Sequence, residues 1–232
     1  HGKNEELSDT EIDLDDEELI KQVQDIGIVI TGQTKNLAPM DKVIYALRDV
    51  TGTVSSIPLI ASSIMSKKIA GGADKILVDI KVGNGALLQT KKDASELSRL
   101  MVAIGKMYQR EVKTVISDMN TPLGTSIGNA LEVLESIDIL KGKETDNNLY
   151  DLCVDLSATM ISMGTGIDKN DALKEGYESL NKGHAYQKFL ELVKAQGGDI
   201  DKVKVSKKVK YIQAENTGIV NKINALELGK LS

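Results

Sequence analysis

The polar side chains between residues 55 and 70 have the types and the spacing that ligand chemistry requires. Ser56, Ile60, Ser63 and Lys67 recur at steps of four, three and four, so a helix would carry them on one face. Such a face could hold a flat heterocycle, with aliphatic contacts to the ring and hydrogen bonds to its edge. The alternative is a structural helix whose serines pack closely and whose lysine extends to water, and the spacing alone favours that alternative.

Three other features allow both a functional and a structural interpretation. The guanidinium of Arg48 could hold a carbonyl or an anion, although an ion pair at the surface is the more common role. The Gly83-Asn84-Gly85 turn could present backbone N–H groups to a ligand, or it could be only a tight turn. Asp79, within an apolar run, is either a carboxylate with internal partners or part of a site.

The composition excludes several classes of protein. A net charge of -5 and an aromatic content of 3% argue against a nucleic-acid partner, which needs a basic surface or stacking rings. Two histidines and one cysteine, Cys153, leave almost no material for a His-based triad, a disulfide or a Cys-rich metal site. The sequence shows no apolar run of membrane-spanning length and no signal-peptide pattern, so we expect no membrane partner. With Cys153 as the only cysteine, we expect a reducing, cytoplasmic setting.

The candidate residues must be positioned by an alternation of strands and helices. Apolar runs at 28–31, 75–82 and 112–116 are typical of buried strands, and helical patterns separate them. This order predicts an α/β fold with a parallel or mixed sheet flanked by helices. Helices are predicted at about 15–25, 39–50, 55–70, 91–110, 127–140, 149–163, 168–180 and 185–195.

The pattern changes after residue 205, where short runs such as KVKYIQ indicate the start of a β-rich module. We therefore expect three parts. These are a flexible acidic N-terminal end at 1–14, a partial α/β domain at 15–205, and the beginning of a truncated C-terminal β-rich domain at 206–232.

A long motif resembles a known family. The string YALRDVTGTVSSIPLIASSIMSKKIAGGADKILVDIKVGNGA is similar to the signature region of pyrimidine-nucleoside and thymidine phosphorylases. The similarity continues through GIVITGQTKNLAPMDK before it and SDMNTPLGTSIGNALEVLESIDILKG after it, and covers about residues 15–225. It implies the catalytic α/β domain of that family and reversible phosphorolysis, in which nucleoside and phosphate give a free pyrimidine and pentose 1-phosphate.

The resemblance also implies roles for individual residues. In that family the matching arginine, serine and lysine contact the edge of the base, which makes Arg48, Ser63 and Lys67 the catalytic candidates. Cationic donors there would stabilise the negative charge that the leaving base gathers in the transition state. Four further positions match residues that line the base pocket: Tyr45, Val54, Ile60 and Ile64.

No organic cofactor is implied, but phosphate is the co-substrate and the family holds a monovalent cation such as potassium. The matching cation ligands are the backbone carbonyls of Leu123 and Ser126 and the carboxylate of Glu135, an oxygen-only set that suits a hard cation. The resemblance also implies a homodimer for the full-length protein.

The sequence departs from the family pattern in several places. Leu87 stands where an aromatic residue usually faces the base, and Ser126 replaces the usual alanine. The phosphate-binding Lys-His-Ser-Thr-Gly-Gly motif and the N-terminal helical domain of the family do not occur in these 232 residues. A catalytically inactive or truncated module with a structural or partner-binding role is therefore the alternative. Anthranilate phosphoribosyltransferase chemistry is disfavoured, because the base-contacting motif matches the nucleoside phosphorylases.

Overall fold

A computed structural model describes residues 14–32 and 37–232. The flexible end predicted at 1–14 lies outside these ranges, except for Leu14. The first helices are α1 (Asp16–Ile26), α2 (Pro39–Val50) and α3 (Ile57–Ala70), followed by β1 (Lys75–Val82), α4 (Lys91–Met107) and β2 (Glu111–Asp118). The chain continues with α5 (Asn129–Leu140), α6 (Asn148–Thr165), α7 (Lys169–Asn181), α8 (His184–Ala195), a 3-10 turn (Ile200–Lys202) and α9 (Ala225–Leu231).

The two strands pair in parallel, in a register that runs from Lys75 opposite Glu111 to Val82 opposite Asp118. Helix α4 makes the crossover between them, and the hydroxyl of its N-cap residue, Thr90, accepts a hydrogen bond from the backbone N–H of Asp93. The predicted α/β fold, a parallel sheet flanked by helices, is confirmed.

The hydrophobic core lies between the sheet and helices α3 and α4. Leu97 and Met101 of α4 pack with Ala61 and Met65 of α3 against one face of β1. Helix α6 contacts β1 as well, and the Lys75 ammonium bonds the backbone carbonyl of Met163 at the end of that helix. The core therefore fixes α3, the helix that carries the candidate site, relative to the sheet.

The strand predicted at 28–31 is wrong for the described residues. This stretch follows the left-handed Gly27 that ends α1 and does not join the sheet. Gln196 takes the place of a strand neighbour: its Oε1 accepts from the N–H of Ile30 at 3.2 Å, and its Nε2 donates to the Ile30 carbonyl at 2.7 Å. Because the Ile30 side chain is 62% exposed, the apolar run does not form a buried strand.

The helix predictions are confirmed, with shifts of a few residues at the ends. Helix α1, for example, begins with a capping box in which Asp15 accepts from the Glu18 N–H and Glu18 accepts from the Asp15 N–H. Among the described residues, no helix is long and apolar enough to cross a membrane.

The end of the chain differs in character from the rest. Residues 203–224 contain no helix or strand, and apolar side chains such as Tyr211 and Ile219 are exposed. Helix α9 then returns to the body of the protein, where Ala225 is buried. The three-part division at 1–14, 15–205 and 206–232 stays a prediction.

Candidate functional site

Helix α2 buries charged side chains and exposes apolar ones, the reverse of a typical surface helix. Its buried residues are Asp41 and Arg48, which lie two turns apart and both contact α3. Apolar side chains elsewhere on the helix, including Val43, Leu47 and Val50, are exposed. A charged side chain is stable in a protein interior only when it is paired or hydrogen-bonded. The contacts of Asp41 and Arg48 therefore determine how α2 packs on α3.

Asp41 holds Ser63 and Lys67 of α3 together. Its Oδ2 atom accepts a hydrogen bond from Ser63 Oγ at 3.1 Å and forms a salt bridge with Lys67 Nζ at 2.9 Å. Lys67 Nζ also donates to Ser63 Oγ at 3.3 Å. The Asp41 side chain is 9% exposed and that of Lys67 is 28% exposed, so the ammonium group lies on the solvent side of this polar cluster. One of its three N–H groups remains for a ligand.

Helix α3 presents this pair because Ser63 and Lys67 are four residues apart and share a face. Pro58 lies in the first turn, where a missing backbone N–H costs no hydrogen bond, and Ser56 is the N-cap residue. Met65 is fully buried in the core, which fixes the rotation of the helix and the direction of its polar face.

Arg48 is committed to the connection between α2 and α3. Its Nη2 donates to the carbonyl of Val54 at 2.5 Å, and its Nη1 donates to the carbonyl of Leu59 at 3.3 Å. The guanidinium carbon lies 5.2 Å from the centroid of the Tyr45 ring, a cation–π distance. Its buried Nε has no hydrogen-bond partner among the described residues. A ligand contact would therefore use the N–H groups that these carbonyls leave free.

The five apolar residues predicted to line a base pocket lie in three places. Tyr45 and Val54 adjoin the guanidinium described above, while Ile60 belongs to the core and Ile64 packs against it from α3. Leu87 follows β1 on a separate loop, and its side chain is 62% exposed. The structure thus groups four of the five on α2, α3 and their connection.

The Gly83-Asn84-Gly85 turn packs against the loop that follows β2. Gly83 has φ +140°, and a Cβ atom there would lie 2.5 Å from the backbone N of Asn120. Asn84 adds two bonds, since its N–H donates to Asn120 Oδ1 at 3.3 Å and its Nδ2 donates to the Asn120 carbonyl at 3.1 Å. Close backbone packing therefore accounts for the first glycine.

Asp79 is a carboxylate with internal partners. Ser117 Oγ donates to its Oδ1 at 2.6 Å, and Lys81 Nζ lies 2.6 Å from its Oδ2. The parallel register places Lys81 opposite Ser117, so the three side chains meet on one face of the sheet. These contacts favour the structural interpretation of Asp79.

Glu135 of α5 fixes the loop at 122–128. Its Oε1 accepts from the N–H of Thr125 at 2.7 Å and from the Thr125 hydroxyl at 2.9 Å, and its Oε2 accepts from the N–H of Ser126 at 3.0 Å. Asn147, the N-cap of α6, donates from Nδ2 to Oε1 at 3.3 Å. The buried carboxylate is thus surrounded by donors from two elements.

The residues predicted as cation ligands lie around one cavity of about 490 Å³, which Leu123, Ser126 and Glu135 line together with α9. Burial acts to raise the pKa of Glu135, but hydrogen bonds from Thr125 and Ser126 outweigh it and hold the pKa below 4.5. Hard cations accept carboxylate and carbonyl oxygens, and in this structure the Glu135 oxygens accept hydrogen bonds from Thr125, Ser126 and Asn147. In the ranges described, no group of three or more His, Cys, Asp or Glu side chains could hold a metal ion.

Asp41 is the residue of this site that the sequence patterns did not identify. An aspartate in the first turn of a helix usually interacts with the helix N-terminus, so its type gave no reason for another role. The available signal was its position seven residues before Arg48, which places both on one side of α2.

Comparison with known proteins defines the class. The family model described as "Glycosyl transferase family, a/b domain" matches residues 3–186. The chain belongs to this glycosyl transferase family.

Within that class, the chain is similar to curated proteins named pyrimidine-nucleoside phosphorylase. It is 46% identical to that of Bacillus subtilis over 225 aligned positions, and this alignment covers 94% of this chain and 52% of the relative. It is 42% identical to that of Staphylococcus haemolyticus over 241 residues, and to that of Staphylococcus aureus over 240 residues. These two alignments cover 99% of this chain and 54% of each relative. The resemblance drawn from the motifs is confirmed, and the chain spans about half the length of these relatives.

Proposed function

We propose that this chain is the base-binding part of a pyrimidine-nucleoside phosphorylase, which cleaves thymidine or uridine with phosphate to the free base and pentose 1-phosphate. The observation that carries the proposal is the pairing of Lys67 with Ser63 on Asp41. An ammonium group with a free N–H beside a hydroxyl can bond the polar edge of a pyrimidine. The ammonium group would bond the base most tightly in the transition state, when the leaving base gathers negative charge.

Arg48 and the apolar residues complete the proposed base site. The remaining N–H groups of Arg48 would bond a base carbonyl, while Tyr45, Val54, Ile60 and Ile64 would supply apolar surface. Leu87 would form an aliphatic wall in place of an aromatic one, which gives dispersion contact with the base but no ring stacking.

Phosphate would be the co-substrate, as the names of the relatives indicate. The Leu123 and Ser126 carbonyls and the Glu135 carboxylate would hold a monovalent cation, potassium, since all three residues line one cavity and offer only oxygen. Such a cation would brace the 122–128 loop. By the same resemblance, we propose a cytoplasmic homodimer for the full-length protein.

The base-binding proposal is tested by titrating the chain with uracil and with thymine, using calorimetry or NMR. Lys67→Ala should weaken binding by about tenfold or more, because a bond from a charged donor contributes roughly 1.5–3 kcal/mol. Lys68→Ala is the matched control, since Lys68 is the exposed neighbour on the same helix. Absence of uracil and thymine binding by the folded chain would refute the proposal, and equal affinities of the two variants would refute the role of Lys67.

The second candidate is a catalytically inactive or truncated family module with a structural or partner-binding role, and Leu87 at the usual aromatic position favours it. A phosphorolysis assay with thymidine and uridine separates the two candidates. Sustained release of free base would exclude the module, and base binding without turnover at saturating phosphate would support it.

A further inference from the structure

The contacts of Ser63 define the direction of its hydroxyl group. A carboxylate only accepts hydrogen bonds and an ammonium group only donates them. Ser63 Oγ therefore donates its single proton to Asp41 Oδ2, at 3.1 Å, and accepts a bond from Lys67 Nζ, at 3.3 Å. With its proton committed, Ser63 can offer a ligand only a lone pair.

We propose that Asp41 is a specificity-determining positioning residue, which makes Ser63 a hydrogen-bond acceptor and thereby selects pyrimidines that carry a proton on N3. The inference rests on the base-binding function proposed above. Asp41 itself would not touch the base, because its Oδ2 atom already contacts Ser63 Oγ and Lys67 Nζ.

The chemistry of the bases explains the selection. Uracil and thymine present an N3–H donor beside carbonyl oxygens, which match a lone pair on Ser63 and a donor on Lys67. Cytosine presents a lone pair on N3 and an amino group on C4, so an acceptor would meet an acceptor and a donor would meet a donor. A site that leaves buried polar groups unpaired in this way discriminates strongly against the wrong ligand.

Because Ser63 is buried, the direction of its hydroxyl group determines which ligands can form a hydrogen bond with it. Ser63 is 8% exposed, so water has little access to re-satisfy a mismatched hydroxyl. Without Asp41, the hydroxyl would rotate freely and could donate to N3 of cytosine as readily as it accepts from N3–H of uracil. The carboxylate thus fixes the hydrogen-bond pattern that the ligand meets.

The test compares the affinities of uracil and cytosine for the wild-type chain and for Asp41→Ala, by calorimetric or NMR titration. The wild type should prefer uracil, and the substitution should reduce the ratio of the two affinities by about tenfold or more, since it removes one matched and one mismatched hydrogen bond. A purely structural role would weaken both bases equally and leave the ratio unchanged. Asp49→Ala is the control, because Asp49 is exposed on the same helix, and it should keep the wild-type ratio.

Ser63→Ala keeps the proposal testable if the Asp41 variant does not fold. It removes the acceptor, so it should weaken uracil binding, leave cytosine binding equal or stronger, and lower the ratio. Ser62→Ala, at the exposed neighbouring position, is its control. An unchanged ratio in a folded Asp41 variant or in Ser63→Ala would overturn the role of Asp41 while leaving the base-binding proposal intact. Failure of the wild type to bind either base would overturn both.

Discussion

Replacing Glu135 by glutamine should destabilise the fold by about 2–3 kcal/mol at neutral pH. The carboxylate accepts the N–H of Thr125 on Oε1 and the N–H of Ser126 on Oε2. A carboxamide has one oxygen, so its NH2 group would face one of these backbone donors. It cannot move aside easily, because Gly124 lies against the carboxylate, with an added Cβ only 2.6 Å from Oε2. One charge-assisted hydrogen bond is lost and one buried N–H stays unsatisfied.

The loss should depend on pH in a defined direction. The pKa of Glu135 in the folded protein lies below the ordinary value of 4.5, because hydrogen bonds to the carboxylate outweigh burial, the largest single effect, which acts to raise the pKa. A lowered pKa gives stability that is fully present above about pH 4.5 and disappears as the pH falls through the folded value. The difference between wild type and Glu135→Gln should therefore shrink on acidification below pH 4.5.

Urea unfolding followed by circular dichroism measures both effects, and the melting temperature should fall by about 4–12 °C for a chain of this size. Glu132→Gln is the matched control, since Glu132 is exposed one turn earlier on α5 and accepts a single bond from the Gly128 N–H. It should change stability by roughly 0.5 kcal/mol or less. Equal stability of Glu135→Gln and this control would contradict the role given to the carboxylate. A loss of unfolding free energy that is the same on both sides of pH 4.5 would contradict it as well.

Three further substitutions test the packing that positions the site. Gly83→Ala should lower the free energy of unfolding by about 1–3 kcal/mol, because it combines a positive φ with a backbone clash. It should also shift the amide resonance of Asn120, and an unshifted resonance would contradict the close approach of the two backbones. Gly105→Ala should lower the free energy of unfolding by about 1–3 kcal/mol, since the new Cβ would lie 2.2 Å from Val112 Cγ2. Adding Val112→Ala to this variant should restore part of the lost stability, as measured by thermal unfolding. Arg48→Met should lower the free energy of unfolding by about 2 kcal/mol or more, because the Val54 and Leu59 carbonyls lose a donor. A variant as stable as the wild type would contradict this structural role of Arg48.

The elements that the sequence predicted well are those with strong local patterns. The run at 75–82 is rich in β-branched residues and forms β1, and the long helical periods form α4 to α8. The run at 28–31 has the same local character but forms no strand, because strand formation needs a neighbour and the Gln196 side chain bonds the backbone of Ile30 instead. Pairing is a property of distant residues, which local patterns do not record.

In the candidate site, too, local patterns predicted contacts within one helix but not contacts between helices. Spacing on one helix predicted that Ser63 and Lys67 share a face, and the structure places them 3.3 Å apart. Their partner Asp41 lies on another helix, 22 residues before Ser63, so only the packing of α2 on α3 brings it to them. Sequence patterns likewise do not show the partners of Arg48, because its bonds to Val54 in the α2–α3 connection and to Leu59 in α3 depend on the path of that loop.

The polar attachment of α2 has a consequence for local motion. Asp41 and Arg48 are the residues that α2 buries, so its docking on α3 depends on their bonds more than on apolar contact. A helix held in this way is expected to open in local fluctuations that need less free energy than global unfolding, and its amide protons should exchange faster than those of α4. A base bound at Lys67, as proposed, would stabilise the closed arrangement by RT ln(1 + [L]/Kd) and slow that exchange. The exchange rate of the α2 amide protons would then report how much of the site is occupied, and a change that stabilises α2 would tighten base binding.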